Sequence, residues 1–211
     1  MPALALSFVL IFAAYLLGSL SGSLLLGRWR GVDIRTQGSG NAGGTNALRT
    51  QGWKFALGVV LIDVGKGAVA AWLGLGFGPP DGPLPAASLG YATALASAIG
   101  HVWPLWHGFR GGKGVGTLLG GLLVLWPAVV PWLLLAWIGV LVASGYVGLA
   151  SVVAVACLVP LAWWLDADLA RRAFVCVAAL LVLFTHRGNL RRLRAGSESR
   201  FERVRLLRRR A

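Results

Sequence analysis

Long apolar segments separated by short polar linkers make up most of the sequence. Residues 4–26, 55–77 and 85–105 are each long enough to cross a membrane, which takes about 20 predominantly apolar residues in a helix. A further stretch, 115–165, has no charged side chain and is interrupted only by prolines and glycines, and a last apolar segment covers 173–186. This pattern predicts an all-α membrane protein.

The basic residues predict which side of the membrane each linker faces. The linker 28–54 is basic, whereas the turn 78–83 has no basic residue, so the positive-inside rule places the first in the cytoplasm and the N-terminus outside. The arginine-rich tail that begins at Arg187 belongs in the cytoplasm by the same rule. The stretch 115–165 must therefore cross an odd number of times.

Three crossings of that stretch are compatible with its length, at the short end of the range for a span. They would cover 115–127, 129–147 and 149–165. We therefore predict one integral-membrane domain, 1–211, with seven transmembrane helices, the N-terminus outside and the C-terminus in the cytoplasm.

Composition supports this interpretation of the basic residues. The chain has 20 Lys and Arg against 7 Asp and Glu, a formal net charge of +13, which in a soluble protein would suggest a nucleic-acid partner. However, 57% of the residues are hydrophobic and only 13% are charged, whereas soluble domains have about a quarter charged. We therefore expect no nucleic-acid partner.

The first polar cluster is the glycine-rich segment 38–49, GSGNAGGTNALR. Glycines allow successive backbone amides to converge on an anion, more strongly if a helix begins there, and Arg49 can bind a phosphate bidentately. The segment also matches the dinucleotide pattern GxGxxG, but no strand precedes it and Asp63 lies in a membrane helix, so no dinucleotide is expected. A flexible linker is the alternative.

The second cluster, 101–117, places three glycines around Lys113 and again indicates an anion-binding loop. It is not a nucleotide P-loop, because His107 occupies the position of the first glycine and Gly114 that of the Ser or Thr. The third cluster, 186–200, is an arginine run that membrane topology and anionic lipid would explain alone. That explanation does not account for the His, Asn and Glu residues within the run.

Asp63 and Lys66 are three residues apart in the second predicted helix. Charges there are costly in lipid unless they face the bundle interior and each other. Structural pairing and support of a site both remain open for this pair.

These segments, in this order, resemble the bacterial acyl-phosphate:glycerol-3-phosphate acyltransferases, which are small integral-membrane enzymes. The resemblance covers nearly the whole chain and is carried by six motifs. They are Gly18-Ser19, GSGNxGxTNxxR at 38–49, DVGKG at 63–67, GHxxP with FxGGKGVxT at 100–117, Tyr146 with Ser151, and HxxNxxRLxxGxExR at 186–200.

The resemblance implies that an active site facing the cytoplasm transfers a fatty acyl group from acyl phosphate to the 1-hydroxyl of sn-glycerol 3-phosphate. The products are lysophosphatidic acid and phosphate, in the first step of phospholipid synthesis at the bacterial inner membrane. No metal and no cofactor is implied, and association with the enzyme that forms acyl phosphate is compatible with the resemblance.

The resemblance also assigns roles by position. The acyl-phosphate's phosphate would be bound by Gly38, Ser39, Gly40, Asn41 and Gly43. Glycerol 3-phosphate would be bound by Thr45, Asn46, Arg49, Lys113, Ser151, Asn189 and Glu198, with a backbone anion loop at Gly111, Gly112 and Gly114 and support from His101, Asp63 and Lys66. His186 would lie beside them. Gly145 and Gly148 depart from the Arg and Ser frequent there, which puts a substrate contact at this helix end in doubt.

An acyl phosphate is an activated mixed anhydride, so positioning and electrostatics can supply much of the acceleration without a protein nucleophile. We therefore expect direct displacement without a covalent acyl-enzyme, with the proton passing to a substrate phosphate or to His186. The alternative is a membrane transporter for phosphorylated metabolites, which would also need anion-binding loops. An inert scaffold would not explain why each of the three clusters carries a basic residue.

Overall fold

A computed structural model of the chain describes residues 2–201, which are helical apart from short loops. The helices are α1 (Ala3–Gly18), α2 (Gly22–Trp29), α3 (Gly44–Gln51), α4 (Trp53–Phe77), α5 (Ala86–Val102), α6 (Val115–Leu125), α7 (Val130–Ser144), α8 (Val147–Trp164), α9 (Leu169–Thr185) and α10 (Arg187–Arg194). The expectation of an all-α fold is confirmed within the described residues.

The first predicted helix is broken rather than continuous, which corrects the expectation for 4–26. Helices α1 and α2 meet at an angle of 46°. Lys66 Nζ donates to the carbonyl oxygens of Gly18, at 2.8 Å, and Leu20, at 3.0 Å, and Asp63 accepts from the Gly22 amide at 3.1 Å. These side chains satisfy backbone groups that a helix break would otherwise leave unpaired.

Three segments of the described chain are long and apolar enough to cross a membrane by themselves: Trp53–Phe77, Pro127–Ser144 and Val147–Trp164. Two bent helix pairs, α1 with α2 and α9 with α10, raise the number to five if each pair is one span. Helix α6 is apolar but shorter. Seven crossings and the orientation of the termini stay predictions.

The chain divides into two compact units, one ending at Pro127 and one beginning at Ala128. In the first unit α4 packs against α1, α5 and α6, and α2 and α3 also pack against α4. A hydrophobic cluster of Leu24, Ile34, Ala42, Phe55 and Val59 lies behind the first glycine-rich segment. This segment is therefore anchored on a packed base.

In the second unit α8 packs against α7 and α9, and α10 contacts both α8 and α9. The last long helix begins at Leu169, earlier than the predicted 173, because Asp168 caps it by accepting from the Arg171 amide at 2.9 Å. It ends at Thr185, and the chain bends by 54° into α10. Arg171 thus lies in the first turn of a helix, whereas the predicted spans 149–165 and 173–186 left it between them.

Candidate functional site

The first glycine-rich segment is a loop held by Asn46. This side chain is 1% exposed. Its amide nitrogen donates to the carbonyl oxygens of Ile34, at 3.2 Å, and Gln37, at 3.0 Å, and its amide oxygen accepts from the Ser39 amide at 2.9 Å. Asn46 therefore shapes the loop, and its predicted contact with substrate stays a prediction.

The loop leads directly into a helix N-terminus. Helix α3 begins at Gly44, so its first backbone amides follow Asn41 and Gly43 and have no partner within the helix. Ser39 and Arg49 are exposed, and Asn41 and Thr45 are half-buried. Amides at a helix start, hydroxyls and a guanidinium are groups that bind phosphate.

The second glycine-rich segment folds back on the end of α5. The amides of Gly111 and Gly112 donate to the carbonyl oxygens of Val102 and His101, each at 3.1 Å. Gly114 then turns the chain into α6 at Val115. Lys113 is thereby placed two residues before the helix, half-buried, where the positive end of the helix dipole also favours an anion.

The two segments of the first unit are adjacent at Gly112. A Cβ atom built on Gly112 would lie 2.0 Å from His101 Nε2 and 2.9 Å from the Ala42 carbonyl oxygen. Ala42 belongs to the first glycine-rich segment. The structure therefore brings the loop of Ser39 and the loop of Lys113 into contact, which requires glycine at this position.

A solvent-side clamp, which the sequence did not reveal, also joins these loops. Arg35 donates from its terminal nitrogen to the carbonyl oxygens of His107, at 2.9 Å, and Arg110, at 3.2 Å, and it pairs with Asp33 at 2.7 Å. This hydrogen-bonded pair holds the pKa of Asp33 below its usual value and raises the pKa of Arg35. Burial lowers the pKa of His107, which favours the neutral ring.

Asp63, Lys66 and His101 form a buried cluster in the first unit. Lys66 Nζ lies 3.0 Å from Asp63 Oδ1 and 2.8 Å from His101 Nδ1. The sequence left open whether Asp63 and Lys66 pair or support a site, and the structure shows that they pair. His101, 35 residues along the chain, completes the cluster.

In the second unit Asn189 and Glu198 contact each other. The Asn189 amide donates to Glu198, and Arg192 Nε donates to the same carboxylate at 2.7 Å. A Cβ atom on Gly148 would lie 2.9 Å from Asn189 Nδ2. The absence of a side chain at Gly148 therefore makes room for Asn189 at the start of α8.

Ser151 lies one turn beyond Gly148 on α8. Its hydroxyl donates to the Val147 carbonyl oxygen at 2.9 Å and accepts from Trp137 Nε1 at 3.1 Å. The Trp137 contact was not evident from the sequence, because it joins two apolar helices. Ser151 is thus fixed in orientation, and its binding role stays a prediction.

His186 joins α9 to α10 and is 3% exposed. Its Nδ1 lies 2.9 Å from the Val182 carbonyl oxygen. A carbonyl can only accept, so Nδ1 carries the proton, and in the neutral ring Nε2 has the lone pair. This tautomer gives Nε2 the capacity to accept a proton or a hydrogen bond.

Comparison with known proteins identifies the family. The sequence model described as "Glycerol-3-phosphate acyltransferase" matches residues 8–196. The chain belongs to this family. The family's enzyme from Synechococcus sp. strain CC9902 is 44% identical, covering 92% of this chain and 94% of that protein. The enzyme from Pseudomonas paraeruginosa strain PA7 is also 44% identical, with coverage of 92% and 99%.

The family also includes solved structures. PlsY (YgiH), an integral membrane glycerol 3-phosphate acyltransferase, has a crystal structure in its glycerol 3-phosphate form that matches with a TM-score of 0.85 at 34% identity. The match covers 92% of this chain and 95% of that chain. The lysophosphatidic acid form matches with a TM-score of 0.83 at 33% identity. The all-helical membrane fold of the family is therefore the fold of this chain.

Proposed function

We propose that this protein transfers a fatty acyl group from acyl phosphate to the 1-hydroxyl of sn-glycerol 3-phosphate, releasing phosphate and lysophosphatidic acid. The observation that carries the proposal is the contact between two glycine-rich loops, each leading into a helix N-terminus, with Arg49 and Lys113 beside them. Both substrates are phosphorylated, and such loops bind phosphate. Membership of an acyltransferase family favours this enzyme over a transporter.

The proposed roles follow the positions in the loops. Gly38, Ser39, Gly40, Asn41 and Gly43 bind the phosphate of acyl phosphate, and Thr45, Arg49 and Lys113 bind glycerol 3-phosphate with the backbone of Gly111, Gly112 and Gly114. Three residues of the second unit also bind glycerol 3-phosphate: Ser151, Asn189 and Glu198. Asn46 binds glycerol 3-phosphate as well as holding the first glycine-rich loop.

The reaction is a direct displacement. The 1-hydroxyl oxygen of glycerol 3-phosphate attacks the acyl carbonyl carbon, and the bond from that carbon to the bridging phosphate oxygen breaks. The phosphate leaves with the bonding electrons. The hydroxyl proton passes to a phosphate oxygen of the substrate or to His186 Nε2. Donors held near both phosphates stabilise the charge that moves to the leaving group.

The proposed setting is the bacterial inner membrane, with seven crossings and the loops in the cytoplasm. The concentration of Lys and Arg in 28–54 and after Arg187 supports that orientation. A site at this surface would receive water-soluble glycerol 3-phosphate directly. It would also be accessible to the enzyme that forms acyl phosphate.

The purified protein in detergent tests the activity and the donor together. With acyl phosphate and glycerol 3-phosphate we expect phosphate and lysophosphatidic acid in equal amounts, and no product when acyl-CoA replaces acyl phosphate. Quenching during turnover with a labelled acyl chain should leave no label on the protein. A folded preparation that releases no phosphate would refute the enzyme, and labelled protein would refute direct displacement.

Replacing His186 decides where the proton goes. If Nε2 is the base, His186→Ala and His186→Gln both lose turnover, by the factor of about 100 or more typical of general bases. Near-normal turnover in either folded variant would assign the proton to a substrate phosphate.

A further inference from the structure

Three ionisable side chains of the first unit lie almost completely out of solvent, yet none belongs to the exposed part of the loops. Asp63, Lys66 and His101 are only 4%, 5% and 4% exposed. Burying charged groups costs free energy that their mutual attraction often fails to recover. Lys66 and Asp63 offset part of that cost by satisfying backbone groups at the break between α1 and α2, but those contacts do not account for His101.

On one side the cluster fixes the ring of His101. Lys66 Nζ lies 2.8 Å from His101 Nδ1. Asp63 Oδ1 lies 3.3 Å from the same ring nitrogen, so both side chains contact one edge of the ring. Lys66 is itself held by Asp63 and by the carbonyl oxygens at the break between α1 and α2.

On its other side His101 packs against the lysine loop. A Cβ atom added to Gly112 would lie only 2.0 Å from His101 Nε2, so the ring leaves no room for a side chain there. The His101 carbonyl oxygen accepts from the Gly112 amide at 3.1 Å. Lys113 is the next residue. The ring therefore sets how closely the backbone before Lys113 approaches α5 and, through Ala42, the first glycine-rich loop.

We propose that Asp63, Lys66 and His101 are positioning residues, which hold the His101 ring against Gly112 and so place Lys113 for binding glycerol 3-phosphate. This inference rests on the proposed function. The cluster itself contacts no substrate. A displacement of about 1 Å at a reacting group can cost a factor of about 100, so a small shift of this loop has a measurable effect.

Two replacements of His101 separate its two contacts. In His101→Asn the amide oxygen takes the place of Nδ1, where it accepts from Lys66, but the part of the ring beside Gly112 is lost. In His101→Gln the amide reaches the place of Nε2 and keeps the contact with Gly112. We expect His101→Asn to raise the KM for glycerol 3-phosphate at least about ten-fold, and His101→Gln to restore it to within about three-fold of wild type.

Two further readouts distinguish positioning from general damage. The KM for acyl phosphate and the melting temperature in detergent should change little in both variants. The matched control is Ser97→Ala, one turn earlier on α5. Ser97 is fully buried, and its hydroxyl has no hydrogen-bond partner among residues 2–201, so this variant should match wild type.

A double variant tests the contact with Gly112 directly. Gly112→Ala alone should raise the KM for glycerol 3-phosphate, because its methyl group would displace the His101 ring. Adding it to His101→Asn should cost less than it does in wild type, since the obstructing ring atoms are gone. Additive effects would contradict the contact.

Asp63→Asn, which keeps the shape and removes the charge, serves if His101→Asn does not fold. The proposal is overturned if folded His101→Asn or Asp63→Asn leaves the KM for glycerol 3-phosphate unchanged, or if both KM values, the turnover and the melting temperature all worsen together. Failure of both variants to fold would also overturn it, because the cluster would then be a requirement of the fold. If wild type releases no phosphate, the proposed function fails instead.

Discussion

Glu198→Gln tests whether the carboxylate of Glu198 orients Asn189. The Glu198 side chain is 8% exposed and accepts from both Asn189 and Arg192. Glutamine keeps the length but replaces one oxygen with an NH2 group. One of the two donors would then face another donor, and the Asn189 amide would lose its fixed orientation.

The size of the effect follows from the two contacts. A hydrogen bond to a charged group contributes about 1.5–3 kcal/mol. The Arg192 side chain is 44% exposed, so solvent screening reduces its share to at most about 1 kcal/mol. Most of the loss therefore comes from Asn189, which is buried. At about 1.4 kcal/mol per factor of ten, the KM for glycerol 3-phosphate should rise about 10- to 150-fold.

Steady-state phosphate release at varied glycerol 3-phosphate measures this change, with melting temperature as the test of folding. Arg192→Ala is the matched control because it removes the screened contact and keeps the one to Asn189, so its KM should change less than about five-fold. An unchanged KM in folded Glu198→Gln, or an equal loss in Arg192→Ala, would refute the reasoning.

Three other changes test particular contacts. Asp33→Asn should lower the free energy of unfolding by less than about 1 kcal/mol, which a slightly lower melting temperature would show. Because the folded pKa of Asp33 is lowered, its contribution is complete above the unfolded value and is lost as pH falls through the folded pKa; a difference from wild type that grows on acidification would contradict this. Gly148→Ala should displace Asn189 and raise the KM for glycerol 3-phosphate, and an unchanged KM would exclude the contact. Arg49→Lys should cost about 1.5–3 kcal/mol in binding if its phosphate contact is bidentate, and unchanged affinity would remove Arg49 from the site.

The helices could be predicted wherever an apolar segment is long enough to cross a membrane. The break at Ser19 to Ser21 could not, because the segment 4–26 contains neither a charge nor a proline. What stabilises the break is Lys66 and Asp63, more than forty residues further along the chain. The residues around the break therefore do not reveal those contacts.

The anion-binding loops could be predicted from glycine and basic residues, because backbone amides and cations act locally. The contacts that hold the loops could not. Arg35 reaches two carbonyl oxygens more than seventy residues away, and any exposed arginine in a basic linker would look the same in the sequence. Asn46 is similar, since its amide could serve substrate or backbone, and only the fold shows that it bonds to Ile34, Gln37 and Ser39.

Burial separates the polar residues that bond within the protein from those that remain accessible to a ligand. Within a membrane protein a buried polar group must be satisfied by the protein itself. Asp63 and Lys66 bond to each other and to backbone groups, and Asn46 bonds to backbone groups. Ser39 and Arg49, in contrast, are exposed, where a phosphate would have direct access to them. The hydrogen-bonding groups of Asp63 and Lys66 are taken up inside the protein, and that is why the cluster at His101 must be tested through the position of Lys113 rather than through its own charge.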